Sequence, residues 1–584
     1  MKLSNDPNKV YVLNTDLRDG RQAPGYSMRD PENLESIDWI LDHAKVLKKA
    51  QYDVLEAGFP AGGAEEKKII KEVGKICIEG VDNPNIHNPS VAAMSFMLNL
   101  KKPNDYRESL DAAFESIDQL IQYNRGRITM LVSTAPKLRE HSTGMSKGEI
   151  LENAVESGRY VVEEFAKRGG YPNLQYYIEG ATQTEPDFLL EVNRKLIMSV
   201  IEASQKEGID AGQINLVASQ PDTTGVARPS HYGRLFKTLH QAIPEIQKYG
   251  VITSAHCHND RDNAVANTIA AVENGARQVE VTTLGIGERA GNASSTSVIS
   301  QLHDFSGEIG GVTHGIDRSV LHDCAKSLSR ITGHRINPNQ PIHGSNANAT
   351  GAGIHQNAVA KAPDSYNSLD ATDYGNVTER LLLTSMSGKN AVRGLLELKG
   401  LTLDSKTYTE LTRQLKDQEA GQLTADQFIE KYIAIPGKVR AFEEQDLANG
   451  GMNLDSESFA YFGSEQNQNV QFRLVWKNGQ QKVSEIFKEQ SDKGVVDAAK
   501  KAFESLVKKD IKLSGYKEYI PEDNLTSGSE VVIDVTLEIE DQFVRGLGCS
   551  RDHNRAAIKA MANALNRINE IKERISMHSI NPDG

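Results

Sequence analysis

Four cysteines stand in 584 residues, at Cys77, Cys257, Cys324 and Cys549, and no two form a C-x-x-C. That scarcity excludes a disulfide framework and a thiolate zinc site, and it predicts a reducing, cytoplasmic compartment. No run of about 18 apolar residues occurs, so no membrane span is expected. The opening M-K-L-S-N-D-P-N-K-V lacks the apolar core of a secretion signal. Positive charge is also short. With 66 Lys and Arg against 79 Asp and Glu the net charge is −13, which leaves no basic footprint for nucleic acid and points to small-molecule partners.

What remains is a globular composition, 38% hydrophobic and 25% charged, long enough for several domains. Short apolar runs alternate with helix-patterned segments through the first ~300 residues. The runs are Val10 to Asn14, Asp53 to Pro60, Ser90 to Phe96, Ile128 to Ser133, Leu174 to Glu179, Ile214 to Ser219, Val251 to His256 and Gln278 to Thr283. Eight βα units in that length predict a (β/α)8 TIM barrel over residues 1–308. An open doubly wound sheet is the alternative, but no G-x-G-x-x-G follows the first run.

Beyond the barrel, helices are expected over Asp317 to Thr332, Glu379 to Leu398 and Leu411 to Ile433, making a helical linker region of 309–450. Polar E-E-Q-D-L-A-N-G-G-M-N then reads as a connector. Residues 451–584 change character: two successive strands-then-helix halves suggest a duplicated α+β regulatory-type domain.

A barrel places its chemistry where strands end. His256 and His258 lie two residues apart at the end of a β run, so both imidazoles point one way. Alone, such a pair is more readily two core histidines held by backbone. With Asp19 after strand one and Asn292 after strand eight it becomes a mixed N/O ligand set with open positions, suited to Mg²⁺, Mn²⁺ or Zn²⁺. Gly285, Gly287 and Gly291, flanking Glu288, let backbone approach a ligand and form a candidate cradle for the phosphates of a cofactor.

The ordered set L-R-D-G-x-Q, E-A-G-F-P-A, P-D-T-x-G, H-C-H-N-D and G-I-G-E-R-A-G-N-A-S resembles the acyl-CoA-condensing branch of the DRE-TIM metallolyase superfamily. Homocitrate and citramalate synthases share much of this barrel pattern. The later G-V-V-D-A-A, G-L-G-C-S and N-A-L-N-R-I are similar to the regulatory domain of the branch's 2-isopropylmalate synthases, so the likeness covers nearly the whole chain. It implies a metal-dependent condensation of acetyl-CoA with a 2-oxo acid, foremost 2-oxoisovalerate. Arg18 would stabilise the charge that develops on the attacked carbonyl, Thr223 would contact the oxo acid, and Tyr177 would narrow its pocket. Glu179 would join a proton-handling network, with His355 as base. The likeness further implies a homodimer and an amino-acid effector at the C-terminal domain.

Several segments depart from the pattern. V-S-T-A-P-K-L-R-E-H replaces T-S-x-I-H-M, Ser219-Gln220 replaces an asparagine before P-D-T, and A-T-G-A-G-I-H-Q-N replaces H-E-S-G-I-H-Q-D. A citramalate- or homocitrate-type condensation, a retro-aldol lyase using the same metal, and a catalytically degenerate protein that binds metal or amino acid are the competing expectations.

Overall fold

Eight short strands close on themselves through parallel pairing: β1 (Tyr11–Asn14), β2 (Val54–Gly58), β3 (Ser90–Phe96), β4 (Gly126–Ser133), β5 (Asn173–Glu179), β6 (Asn215–Ser219), β7 (Ile252–His256) and β8 (Gln278–Val281). The closure is β1 on β8, with Tyr11 opposite Gln278 and Leu13 opposite Glu280. This is the expected TIM barrel. The computed structural model describes residues 6–26, 28, 36–83, 86–350, 355, 358–359, 365–366, 369–376, 383–385, 387–398, 405–416, 422–423, 428, 452–454, 460–464, 467–478, 481–491, 495–507, 509–519, 531–539, 542–550 and 553–565.

Each strand is followed by a helix: α1 (Asp38–Lys49), α2 (Ala64–Ile78), α3 (Pro103–Ile121), α4 (Lys147–Lys167), α5 (Pro186–Lys206), α6 (Pro229–Ala242), α7 (Ala264–Glu273) and α8 (Ser295–Asp304). Local chemistry sets their starts. Proline opens α3, α5 and α6, where a missing N–H costs nothing. Ser146 and Glu149 form a reciprocal capping box on α4. A further helix, α9 (Leu321–Thr332), packs on α1. No described helix is long and apolar enough to cross a membrane.

The barrel interior is more polar than its apolar strands suggest. Alternation turns Arg127, Thr129, Gln175, Tyr177, Gln278 and Glu280 inward. Arg127 is buried and donates to Asn173 Oδ1 at 2.9 Å, Gln278 Oε1 at 2.8 Å and Gln175 Oε1 at 3.1 Å. Burial among amides pushes its pKa down to about 10.

The chain divides into two compact units, residues 1–347 with 370–377, and residues 348–369 with 378–584. In the second, α10 (Lys389–Leu398) and α11 (Ser405–Lys416) accompany a two-residue ladder of β9 (Leu383–Thr384) and β10 (Gln422–Leu423). Of the helices expected over 379–398 and 411–433, residues 389–398 and 411–416 are helical and 383–384 and 422–423 are strand, while 379–382, 417–421, 424–427 and 429–433 lie outside the described residues. Leu383 pairs with Leu423 across the ladder, a contact between distant residues that no local pattern announces.

The C-terminal part follows the expected two halves. Strands β11 (Met452–Leu454), β12 (Ala460–Ser464), β13 (Asn467–Asn478) and β14 (Gln481–Ser491) form one antiparallel sheet and precede α12 (Val495–Val507). Strands β15 (Lys512–Tyr519), β16 (Val531–Ile539) and β17 (Gln542–Ser550) form the other and precede α13 (His553–Leu565).

Candidate active site and metal centre

At the C-terminal rim of the barrel, Asp19, His256 and His258 offer ligand atoms that all lie within 4.8 Å of one another. All three side chains are buried. His256 Nε2 is 3.4 Å from Asp19 Oδ2 and 3.4 Å from His258 Nε2, the separation expected of atoms that share one ion at ~2.0–2.2 Å. Asn292 joins them, its Nδ2 donating to Asp19 Oδ2 at 2.7 Å. Asp19 Oδ1, Asn292 Oδ1 and His258 Nδ1 are buried without a hydrogen-bond partner. Unsatisfied acceptors at this depth are costly unless a cation uses them, so the donor set fits a divalent metal.

Backbone geometry holds the four together. Thr15 carbonyl accepts from the N–H groups of Arg18, Asp19 and Gly20, winding a tight turn after β1. After β8 the chain folds back: His258 bridges Asn292, Asn292 N donates to Gly285 O at 2.9 Å, and Ala293 N to Cys257 O at 3.1 Å. Gly291 takes φ +88, and a Cβ there would meet Gly285 O at 1.9 Å. The glycines of this loop thus admit the close approach that seats Asn292.

Two buried carboxylates, Glu280 on β8 and Glu56 on β2, support the cluster from below. Glu280, inward on β8, accepts at Oε1 from Ser219 (2.6 Å), Ser254 (2.7 Å) and Gln175 (2.9 Å), while its Oε2 lies 3.2 Å from His256 Nδ1. Glu56 accepts from Thr15 (2.7 Å), Arg18 Nε (2.8 Å), Thr129 (2.9 Å) and Tyr177 (3.0 Å). It therefore fixes both Arg18 and Tyr177. Only the period-two alternation, which turns both residues inward, could have flagged them.

Charge balance follows from these contacts. Burial alone would raise the Asp19 pKa, but Arg18, His256 and His258 outweigh it and bring it down to about 2. Burial, joined by the charge of His256, brings His258 down to about 3, which leaves its imidazole free to ligate. His256 moves up despite burial, because Glu280 holds its proton. Burial likewise opposes charge on Arg18, yet Glu56 and Asp19 raise its pKa.

A cavity of about 220 Å³ opens over the cluster. Arg18, His256 and His258 line it together with the apolar side chains of Phe59, Met94, Phe96, Leu131 and Tyr177 and with Glu179, Thr223 and Glu288. Ser133 donates to Glu179, whose pKa is raised by burial and then by the charge of Glu288. Gly180 N donates to Thr223 Oγ1 at 2.9 Å, and Asp222 ties that turn down by accepting from Thr182, Val226, Ala227 and Asn267. The rim therefore gathers Arg18, Asp19, Tyr177, Glu179, Thr223, His256, His258, Glu288 and Asn292. His355 belongs to the second unit, where its ring stacks on Tyr366 at 3.8 Å. A larger cavity, about 460 Å³, lies between α5 and α6 and involves none of the metal cluster.

Comparison with known proteins adds an independent line. Residues 9–328 match the HMGL-like family, 342–422 a homocitrate synthase post-HMGL domain-like family and 458–569 a LeuA allosteric (dimerisation) domain. A 2-isopropylmalate synthase of Methylibium petroleiphilum is 30% identical over 577 residues, covering 97% of this chain and 99% of that protein. The one from Variovorax paradoxus is 31% identical, with the same two shares covered. 2-Isopropylmalate synthase 1 of Caldanaerobacter subterraneus subsp. tengcongensis is 33% identical over 409 residues, 70% of this chain and 90% of that one.

Proposed function

The chain belongs to the HMGL-like family, with 2-isopropylmalate synthases as relatives along its full length, and on that premise we propose that it condenses acetyl-CoA with 2-oxoisovalerate. It is an acyltransferase. The reaction consumes water and yields 2-isopropylmalate and free CoA, the committing step of leucine synthesis. The convergence of Asp19, His256, His258 and Asn292, with acceptor atoms left unsatisfied, carries this reading.

Mg²⁺ or Mn²⁺, with Zn²⁺ as the alternative, would be held by those four side chains and would polarise the keto group of the oxo acid. Arg18, locked by Glu56, presents its remaining N–H groups to the oxygen on which charge develops. The apolar side chains around Tyr177 accept a branched aliphatic side chain, and Thr223, which lines the same cavity, contacts the oxo acid. Glu179 receives and passes on the proton that the acetyl methyl must lose, a role suited to a carboxyl whose pKa is raised. His355 is the base that takes it first. The loop of Gly285, Gly287, Glu288 and Gly291 borders the entry of the CoA ester.

We assign catalysis to 1–308, a linker to 309–450 and regulation to 451–584. A homodimer inhibited by a pathway amino acid, supported by the match to an allosteric (dimerisation) domain, completes the reading, with the cytoplasm as its compartment. The test is release of free thiol from acetyl-CoA with Mg²⁺ or Mn²⁺ and a panel of 2-oxo acids. Release with 2-oxoisovalerate above the other acceptors is expected; no acceptor-dependent release with any of them overturns the reading.

A further inference from the structure

Below the metal turn lies a buried chain of hydrogen bonds that the reaction does not use. Ser327 Oγ on α9 is 3.0 Å from His43 Nδ1, and His43 Nε2 on α1 is 3.0 Å from Asp16 Oδ2. Asp16 Oδ1 accepts in turn from Thr283 N at 2.7 Å. The order of residues is that of a hydrolytic triad, but all three side chains are buried and no described cavity reaches them. A nucleophile needs access to a substrate, so this chain does something else.

Its ends show what. Asp16 is in the turn that leads to Arg18 and Asp19, and Thr283 opens the loop that returns to Asn292. One carboxylate thus clamps together the two loops that supply the oxygen donors of the metal cluster. A carboxylate only accepts, so His43 Nε2 carries a hydrogen toward Asp16, and Nδ1 shares the other contact with the Ser327 hydroxyl. The clamp is thereby tied to α9, beyond the barrel proper.

We propose that His43 is a positioning residue for the metal centre, orienting Asp16 so that α9, through Ser327, sets how closely Asp19 and Asn292 approach. The proposal rests on the metal part of the reading above. Residues hydrogen-bonded directly to a metal ligand are worth about 10–100-fold in metal affinity, and His43, one contact further out, belongs at the low end of that range.

The test is titration of the full chain with Mn²⁺ alone, following free Mn²⁺ by electron paramagnetic resonance. His43→Leu is expected to weaken binding about 10-fold. Ser327→Ala, which leaves the Asp16 contact, should weaken it by roughly a third of that factor, and His43→Gln, which keeps a donor toward Asp16, should restore most of the affinity. A merely structural role would lower the melting temperature and leave the Mn²⁺ affinity of the folded protein unmoved. Unchanged affinity in Ser327→Ala, and in His43→Leu where it folds, overturns the proposal. Because no acyl donor is present, absence of CoA release bears on the reaction and leaves this result standing; a parent chain that takes up no Mn²⁺ overturns the metal reading and the proposal with it.

Discussion

Glu280 Oε2 lies 3.2 Å from His256 Nδ1, on the opposite edge of the ring from Asp19. The carboxylate fixes which face of the imidazole meets the cation and raises its basicity. Glu280→Gln should therefore weaken Mn²⁺ binding by about 10–100-fold while the barrel still folds. Calorimetric titration checks this. An unchanged dissociation constant would show that Ser219, Ser254 and Gln175 place the ring without the charge.

Asp19→Asn and His258→Ala remove donors outright. Each should abolish turnover at ordinary metal concentrations, and His258→Ala should respond to excess metal more than Asp19→Asn, because the carboxylate supplies the charge that attracts the ion. Thiol release measured across a metal series separates the two.

Gly291→Ala places a methyl 1.9 Å from Gly285 O at φ +88. The loop must shift, at a cost of about 1–3 kcal/mol, and Asn292 shifts with it. A lower melting temperature together with weaker metal binding is expected. Loss of stability with full metal affinity would separate the loop from the site.

Tyr177 lines the cavity over the cluster, its hydroxyl 3.0 Å from Glu56. Tyr177→Ala should widen the cavity and shift selectivity toward longer 2-oxo acids by about 10-fold in kcat/KM, the lower end of the range for one methylene. Competition between 2-oxoisovalerate and a six-carbon acceptor measures it.

Glu179 is held above the ordinary 4.5 by burial and by the Glu288 charge. A carboxyl whose folded value is raised favours folding while protonated, and that contribution fades as pH climbs through the raised value. Glu179→Gln, which keeps the neutral shape, should show a melting temperature that rises relative to the parent from pH 4 to pH 7. A difference independent of pH would contradict this.

Much of the rim was legible because its residues cluster in short polar runs after apolar ones: L-R-D-G, H-C-H-N-D and G-E-R-A-G-N mark strand ends locally. Glu56, Glu280, His43 and Asp16 gave no comparable signal as partners. Their contacts join positions such as Asp16 to Thr283, 267 residues apart, and a buried carboxylate in an apolar strand declares its role only when its donors are in place. The ladder that pairs Leu383 with Leu423, where helix was expected, was hidden for the same reason. Pairing between distant short segments has no periodicity to read.

Asp19 and Asn292 stand 273 positions apart and meet only because β1 closes on β8. During synthesis at roughly 5–20 residues per second, the first donor waits about 14–55 s on the ribosome before its partner is made. Until the ring shuts, an emerging polypeptide holds isolated donors and no assembled centre, so capture of the ion must follow translation of the entire barrel.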